Sequence, residues 1–199
     1  MNIVKSTIMT LAASASLGLA VPQAAFADTY KIDDNTQGAH AFVQFRVKHL
    51  GYSWLYGRFN DFSGSFNYDP AKPEASSIEV TVDMNSVDSN HAERDKHIRS
   101  SDFLDVKKYP QASFKSTSFE PTDEGGLMKG ELTFFGNTVP VEVMVDTIGG
   151  GKDPWGGYRQ GFEATATIKP ADFGLDLTKR LGPSTSEVEL TISVEGVKQ

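Results

Sequence analysis

The 199-residue chain has no cysteine. That removes disulfides, thiolate metal sites, a cysteine nucleophile and a lipidated N-terminal cysteine. The common catalytic spacings are missing too. Ser53 follows Gly51, but Leu55 stands where a nucleophile elbow needs its second glycine. The glycines around Gly125 and Gly149 lack both the spacing and the Lys-Ser/Thr ending of a phosphate loop. The four histidines, His40, His49, His91 and His97, make no metal motif, since His91 and His97 at six apart would lie on different faces of a helix. Glu93 and His97 are four apart, a spacing that reads as a surface ion pair. His49 ends an apolar strand face, where a hydrogen-bonded structural histidine is expected. No cofactor or metal is implied, and the expectation is a protein that is not an enzyme. Positive charge is scarce, with 19 Lys and Arg against 26 Asp and Glu and a net charge of −7. Such a surface repels phosphate backbones and argues against nucleic-acid binding.

Long apolar runs are also lacking. The run from Thr7 to about Ala20 is rich in small residues and falls short of the about 20 apolar residues of a spanning helix. It follows Lys5 and precedes Ala25-Phe26-Ala27, the order of a secretory signal peptide. Cleavage is predicted after Ala27, leaving residues 28–199 as one domain and, with Lys5 gone, a net charge of −8. A domain of about 150 residues already buries close to 70% of its unfolded surface, so a sizeable core is available. An exported protein without stable membrane insertion is expected.

What the remaining sequence has is alternation. Tyr30 and Ile32 share one side of a short strand, and Ala41, Val43, Phe45, Val47 and His49 share one face of the next. Ser53–Tyr68 is a long strand whose apolar phase shifts between Phe59 and Phe62, predicting a bulge or bend at Asn60-Asp61. Ile78, Val80, Val82 and Met84 face inward, followed later by Ala112, Phe114 and Ser116, then Met128, Gly130, Leu132 and Phe134. Gly136-Asn137 reads as a tight hairpin turn, and Val139, Val141, Val143 and Val145 as the next inward set. Gly149–Gly157 reads as a loop. Phe162, Ala164, Ala166 and Ile168, and finally Val188, Leu190, Ile192 and Val194, complete the pattern, with a loop through Phe173-Gly174 and Gly182-Pro183 between them. About eight long strands with one wet face predict an all-β chain, an antiparallel up-and-down barrel or a sandwich.

One stretch breaks the alternation. Asn90 and Glu93 have capping-box spacing, predicting a helix from His91 to Arg99, with a second short turn at Phe103–Val106 stopped by Tyr109-Pro110. Only Ala92 and Ile98 are apolar within that helix, too few for a buried stripe and too short a segment to persist alone. It must be held by its surroundings. Its charges have two readings: Arg94, Asp95 and His97 pair locally and pin the helix, or Arg94 and His97 meet the polar head of a ligand.

The inward faces combine large residues (Phe45, Phe59, Phe66, Phe114, Phe134, Phe162) with small ones (Gly64, Gly130, Ala164, Ala166). An eight-stranded barrel can fill itself with side chains or hold one ligand, and periodicity does not choose.

His40-x-x-x-x-Phe45-x-Val47-x-His49-Leu50-Gly51, Gly57-Arg58-Phe59, Phe62-Ser63-Gly64, Arg94-Asp95-x-His97-Ile98, Ser101-x-Phe103, Tyr109-Pro110 and Asp172-Phe173-Gly174 together resemble the motifs of the YceI-like family of secreted bacterial proteins. Lys169-Pro170 departs from it, since arginine is the commoner residue before its Asp-Phe-Gly. The resemblance implies a lipocalin-like eight-stranded antiparallel barrel with a short helical segment near one end. It also implies a periplasmic carrier that holds the apolar tail of a polyisoprenoid lipid or isoprenoid quinone. On that reading the tail lies against Phe45, Val47, Phe59, Phe66, Val82, Met84, Ile98, Phe103, Phe114, Phe134, Val143, Phe162, Ala164 and Ala166. The head would meet Arg94, His97 and His49. The alternatives are an enzyme acting on an amphiphile at the mouth and a protein-interaction module with a packed barrel. The oligomeric state stays open, a homodimer included.

Overall fold

A computed structural model describes residues 27–34 and 38–199. The leader reading, with its cleavage pattern at Ala25 and Phe26, falls outside the described residues.

The first strands are β1 (Asp28–Ile32), β2 (Phe42–His49), β3 (Ser53–Phe59), β4 (Phe62–Tyr68), β5 (Ser77–Asp83) and the two-residue β6 (Val87–Asp88). Helix α1 (Ala92–Arg99) follows, then β7 (Gln111–Pro121), β8 (Gly125–Phe134), β9 (Asn137–Lys152) and β10 (Tyr158–Ile168). Helix α2 (Thr178–Leu181) precedes the last strand, β11 (Val188–Lys198). Every pairing is antiparallel, and β11 closes the ring by pairing with β10 on one side and with both β2 and β1 on the other. Because β1 and β2 share one partner, they are two parts of one stave; β3 and β4 are parts of another, and β5 with β6 of a third. The result is a closed, eight-stranded, lipocalin-like antiparallel barrel.

The breaks follow the sequence. The chain bends at Asn60-Asp61, where Asn60 N–H donates to Ser86 O and Asp61 O accepts from Asp83 N–H, so the apolar phase resets between Phe59 and Phe62. At one end Tyr30, Ile32, Ala41, Phe66 and Val194 form a buried cluster, with Tyr30 stacked on Phe66 at 4.9 Å and Phe162 edge-on to Phe66 at 5.5 Å. At the other end Met84, Val106 and Ala112 bury themselves against Phe59, Val82, Leu104 and Phe134.

Four local expectations need correcting. The cap of α1 is His91, whose Nδ1 accepts Arg94 N–H at 3.2 Å; Asn90 instead takes a left-handed φ of 65° and donates its N–H to Asp88. The β8–β9 turn is Phe135-Gly136, one residue earlier than predicted. Both take positive φ, 49° and 78°, as the twist of a two-residue hairpin demands, and Tyr109 packs on Phe135 with ring centroids 4.4 Å apart. Gly149–Lys152 is strand, paired with Tyr158–Gly161 on the β10 side alone, since the β8 register goes no further than Asp146; the ladder to β10 carries through the glycines. Lastly, residues 170–186 are not a plain loop: a 3-10 turn at Pro170–Phe173, α2 and a second 3-10 turn at Pro183–Thr185 lie over the helical end of the barrel.

Candidate functional site

The period-two faces converge on the barrel axis. Val43, Phe45 and Val47 of β2, Val141, Val143 and Val145 of β9, Phe162, Ala164, Ala166 and Ile168 of β10, and the alternate residues of β11 all line a single cavity of about 710 Å³. That volume lies within the range of pockets that hold small ligands. The choice left open by periodicity is therefore resolved: the barrel is not filled by its own side chains.

Glycines help keep it open. Gly57 sits directly opposite Phe45 on the neighbouring strand, and the Phe45 ring lies where a Cβ at Gly57 would be. Gly130 does the same for the Phe114 ring. A phenyl ring laid against a bare backbone stays on the wall, whereas a Cβ beneath it would push it into the lumen.

All of the residues assigned to an apolar tail border this cavity, from Phe66 and Phe162 deep in the barrel to Ile98 and Phe103 below the helical end. Arg94, His97 and His49 border it too, at that same end. The sequence reading missed the lining from the cover. Leu175, Leu177 and Leu181 reach the cavity from residues 170–186. The Leu177–Leu181 spacing of four was the available signal, masked by Gly174 and Gly182-Pro183 on either side.

The mouth is polar and largely self-satisfied. Arg94 Nε donates to Ser89 Oγ at 2.7 Å, and its Nη2 donates to Ser89 O. Buried Asp95 accepts Ser89 N–H at 2.8 Å and the Ser89 hydroxyl. Thus Arg94 and Asp95 pin α1 to Ser89 from two sides, and Arg94 also presents its side chain to the cavity. His97 Nε2 lies 3.1 Å from Asp102 Oδ2, and its ring meets Phe103 edge-on. Hydrogen bonds from His97 and then Arg180 hold the Asp102 carboxyl below the usual carboxylate range. His49 differs from expectation: its exposed imidazole makes no hydrogen bond among the described residues, although it borders the cavity.

A second ionic cluster lies on the outer wall at the far end. Buried Asp33 accepts Gly38 N–H at 2.6 Å, faces His40 Nδ1 at 2.8 Å, and receives Arg159 Nη1 at 2.7 Å. Burial alone would raise its pKa, but the His40, Gly38 and Arg159 contacts outweigh that and hold it below the usual range. Asp33, His40 and Glu195 have metal-ligand proximity, but Arg159 also donates to Glu195 and supplies the positive charge there. No helix among the described residues is long and apolar enough to cross a membrane.

Comparison with known proteins agrees with this architecture. The family model described as "YceI-like domain" matches residues 30–196. A UPF0312 protein of Pseudomonas aeruginosa is 54% identical over 195 residues, covering 98% of this chain and 99% of its own. One from Yersinia enterocolitica is 55% identical over 174 residues, covering 87% and 88% respectively. Among solved structures, the Campylobacter jejuni YCEI protein superposes with a TM-score of 0.69 at 32% identity, over 77% of this chain and 90% of that one. A polyisoprenoid binding domain from Saccharophagus degradans superposes with a TM-score of 0.60 at 16% identity, over 85% and 98%, a likeness of fold.

Proposed function

We propose a carrier function from one premise: the chain belongs to the YceI-like domain family. The protein takes up an amphiphile with a long unbranched or isoprenoid tail, and the axial cavity holds that tail. The single observation that carries this reading is the continuous apolar lining from the helical end to the Phe66–Phe162 region. Each CH₂ removed from water contributes about 0.8 kcal/mol, so a polyprenyl chain is nearly insoluble without such a container. The polyisoprenoid binding domain of shared fold supports a polyisoprenoid as the ligand class, and an isoprenoid quinone would offer the cavity a tail of the same chemistry. The head group rests at the mouth beside Arg94, His97 and His49. Function as an exported, periplasmic shuttle follows from the leader read at residues 1–27 and from the ligand's insolubility. The mouth offers no activated nucleophile, and its imidazole–carboxylate pair, His97 with Asp102, is engaged in holding the cover, so binding is favoured over turnover.

The test is organic extraction of protein purified from its native compartment, followed by mass spectrometry. The expected result is a polyisoprenoid lipid or quinone in stoichiometric amount. Recovery of protein with no bound amphiphile, together with failure to take one up from micelles, would refute the carrier reading.

A further inference from the structure

The barrel wall is open along part of β3. From Ser53 to Gly57, β3 is bonded to β2 on one side and has no strand on the other, since β6 reaches only Arg58 and Phe59. Ser89, Asn90 and Arg94 face this free edge across a groove. The groove shares His49, Leu55 and Arg94 with the axial cavity, so these side chains form the partition between the two.

The outer rim of the groove is exposed and aromatic, with cations beside it. Leu50, 49% exposed, and Tyr52, 86% exposed, form the β2–β3 turn, and Tyr56, 62% exposed, stands on the adjoining strand. Leu50 takes a left-handed φ of 53° at the apex. Trp54 lies between the tyrosines, with the Arg46 guanidinium 4.3 Å and the Lys48 ammonium 5.4 Å from its ring. Arg46 is paired with Glu189, whereas Lys48 makes no ion pair among the described residues. Tyrosine and tryptophan with apolar bodies and polar tips, flanked by long cationic side chains, are the residues that settle at the boundary between lipid tails and head groups.

We infer that this strip docks on the surface of a phospholipid bilayer containing anionic lipid, and that the tail enters the barrel sideways between β3 and the Ser89–Arg94 segment. The inference rests on the carrier reading and adds where the lipid passes. A tail that slides from bilayer to groove to cavity never exposes its CH₂ groups to water, which removes the largest barrier to transfer. The Lys48 ammonium, which has no acidic partner among the described residues, favours a bilayer over a second copy of the chain: a two-fold contact sets the same patch against itself and would bring like charge to like charge, whereas an anionic head group pairs with it. A net-acidic protein is otherwise repelled by anionic lipid, so the uncompensated charge of Lys48 fixes the orientation of approach.

The experiment uses the full exported chain and mixed phosphatidylethanolamine–phosphatidylglycerol vesicles loaded with a ubiquinone. Vesicle flotation reports docking, and ubiquinone recovered on protein after the vesicles are removed reports transfer. Loading from detergent micelles reports the cavity alone. The double variant Leu50→Asp/Tyr52→Glu alters exposed rim residues outside the cavity. It is expected to abolish flotation and to slow vesicle transfer roughly tenfold, equivalent to about 1.4 kcal/mol, while micelle loading stays at the wild-type level. Raised salt should slow wild-type transfer as well. Unchanged flotation and transfer in the variant would overturn the inference. So would a wild-type dimer that the variant dissolves without any change in transfer, since the strip would then be a self-contact. If wild type loads nothing from micelles, the carrier reading fails and flotation alone judges the docking surface.

Discussion

Arg180 Nη1 donates to Asp102 Oδ1 across 2.8 Å and ties α2 to the segment that follows α1. The other carboxylate oxygen faces His97, and Phe103 carries the His97 ring on its edge and the Arg180 guanidinium 5.9 Å from its centroid. The two helical pieces over the mouth are therefore joined through one exposed carboxylate. Surface pairs of this kind hold weakly, which places the cover among the parts of a fold that open most easily.

That contact is pH-dependent in a defined direction. Hydrogen bonds from His97 first, and then Arg180, lower the Asp102 pKa from its ordinary 3.8. A lowered carboxylate stabilises the folded arrangement above its unfolded pKa and loses that contribution as pH falls through the folded value. Amide exchange protection of Arg180, Leu181 and Gly182 is expected to drop as pH falls below about 4, relative to the barrel strands. In Asp102→Asn the protection should already be low at neutral pH and should show no such step.

The far-end cluster behaves differently because it is buried. Asp33 is fully shielded from solvent, and Arg159 bridges it to Asp153 and Glu195. Arg159→Ala leaves a buried carboxylate with only His40 and the Gly38 N–H, and it should cost about 2–4 kcal/mol of stability. The measurement is the urea midpoint at neutral pH. The loss should shrink as pH falls toward the wild-type Asp33 pKa, which lies below the usual carboxylate range, because without Arg159 the variant's Asp33 takes up its proton first and sheds the unpaired charge.

Alternation carried most of the architecture. Where side chains point to opposite faces with period two, Val43–Val47, Ile78–Val82 and Phe162–Ile168 could be assigned to the lumen from residue type alone. The bend at Asn60-Asp61 was visible as a phase shift. Closure was not, because the pairing of β11 with both β1 and β2 joins residues at opposite ends of the chain. The cavity was equally hidden: Phe45 against Gly57 is one large and one small residue in sequence, and only register shows that the ring lies on the wall. Residues 170–186 were misread because glycine and proline signals outweighed three leucines whose common target is the lumen. The Asp33–Arg159 pair, 126 residues apart, left no local pattern at all.

Arg94 can now be tested against both of its readings. Its two bonds to Ser89 predict that Arg94→Ala loses about 1.5–3 kcal/mol of stability whether or not ligand is present. If the same guanidinium also meets a head group, affinity for a charged-head lipid should fall more than affinity for a neutral quinone. Thermal unfolding of lipid-free protein and paired binding titrations separate the two effects. Arg94→Lys keeps the charge but loses the two-pronged contact, so it should recover charged-head binding better than stability.

The tail site is tested most directly at Ala166 and Thr165, neighbours on β10 whose side chains point to opposite sides of the wall. Ala166 borders the cavity, while Thr165 is exposed, paired across the sheet with Met144 and Thr191 on the outer surface. Introducing a tryptophan at a filled site overpacks and costs about 1–3 kcal/mol. With open lumen beside it, Ala166→Trp should place its indole in space the tail would occupy. The variant is expected to stay within about 1 kcal/mol of wild type in unfolding free energy, well inside the range for tolerated core changes, and to retain no lipid after purification. Thr165→Trp should keep both stability and bound lipid. A stable Ala166→Trp that still carries full lipid would show that the tail lies elsewhere. Loss of lipid in Thr165→Trp alone would place the binding surface on the outside of the barrel.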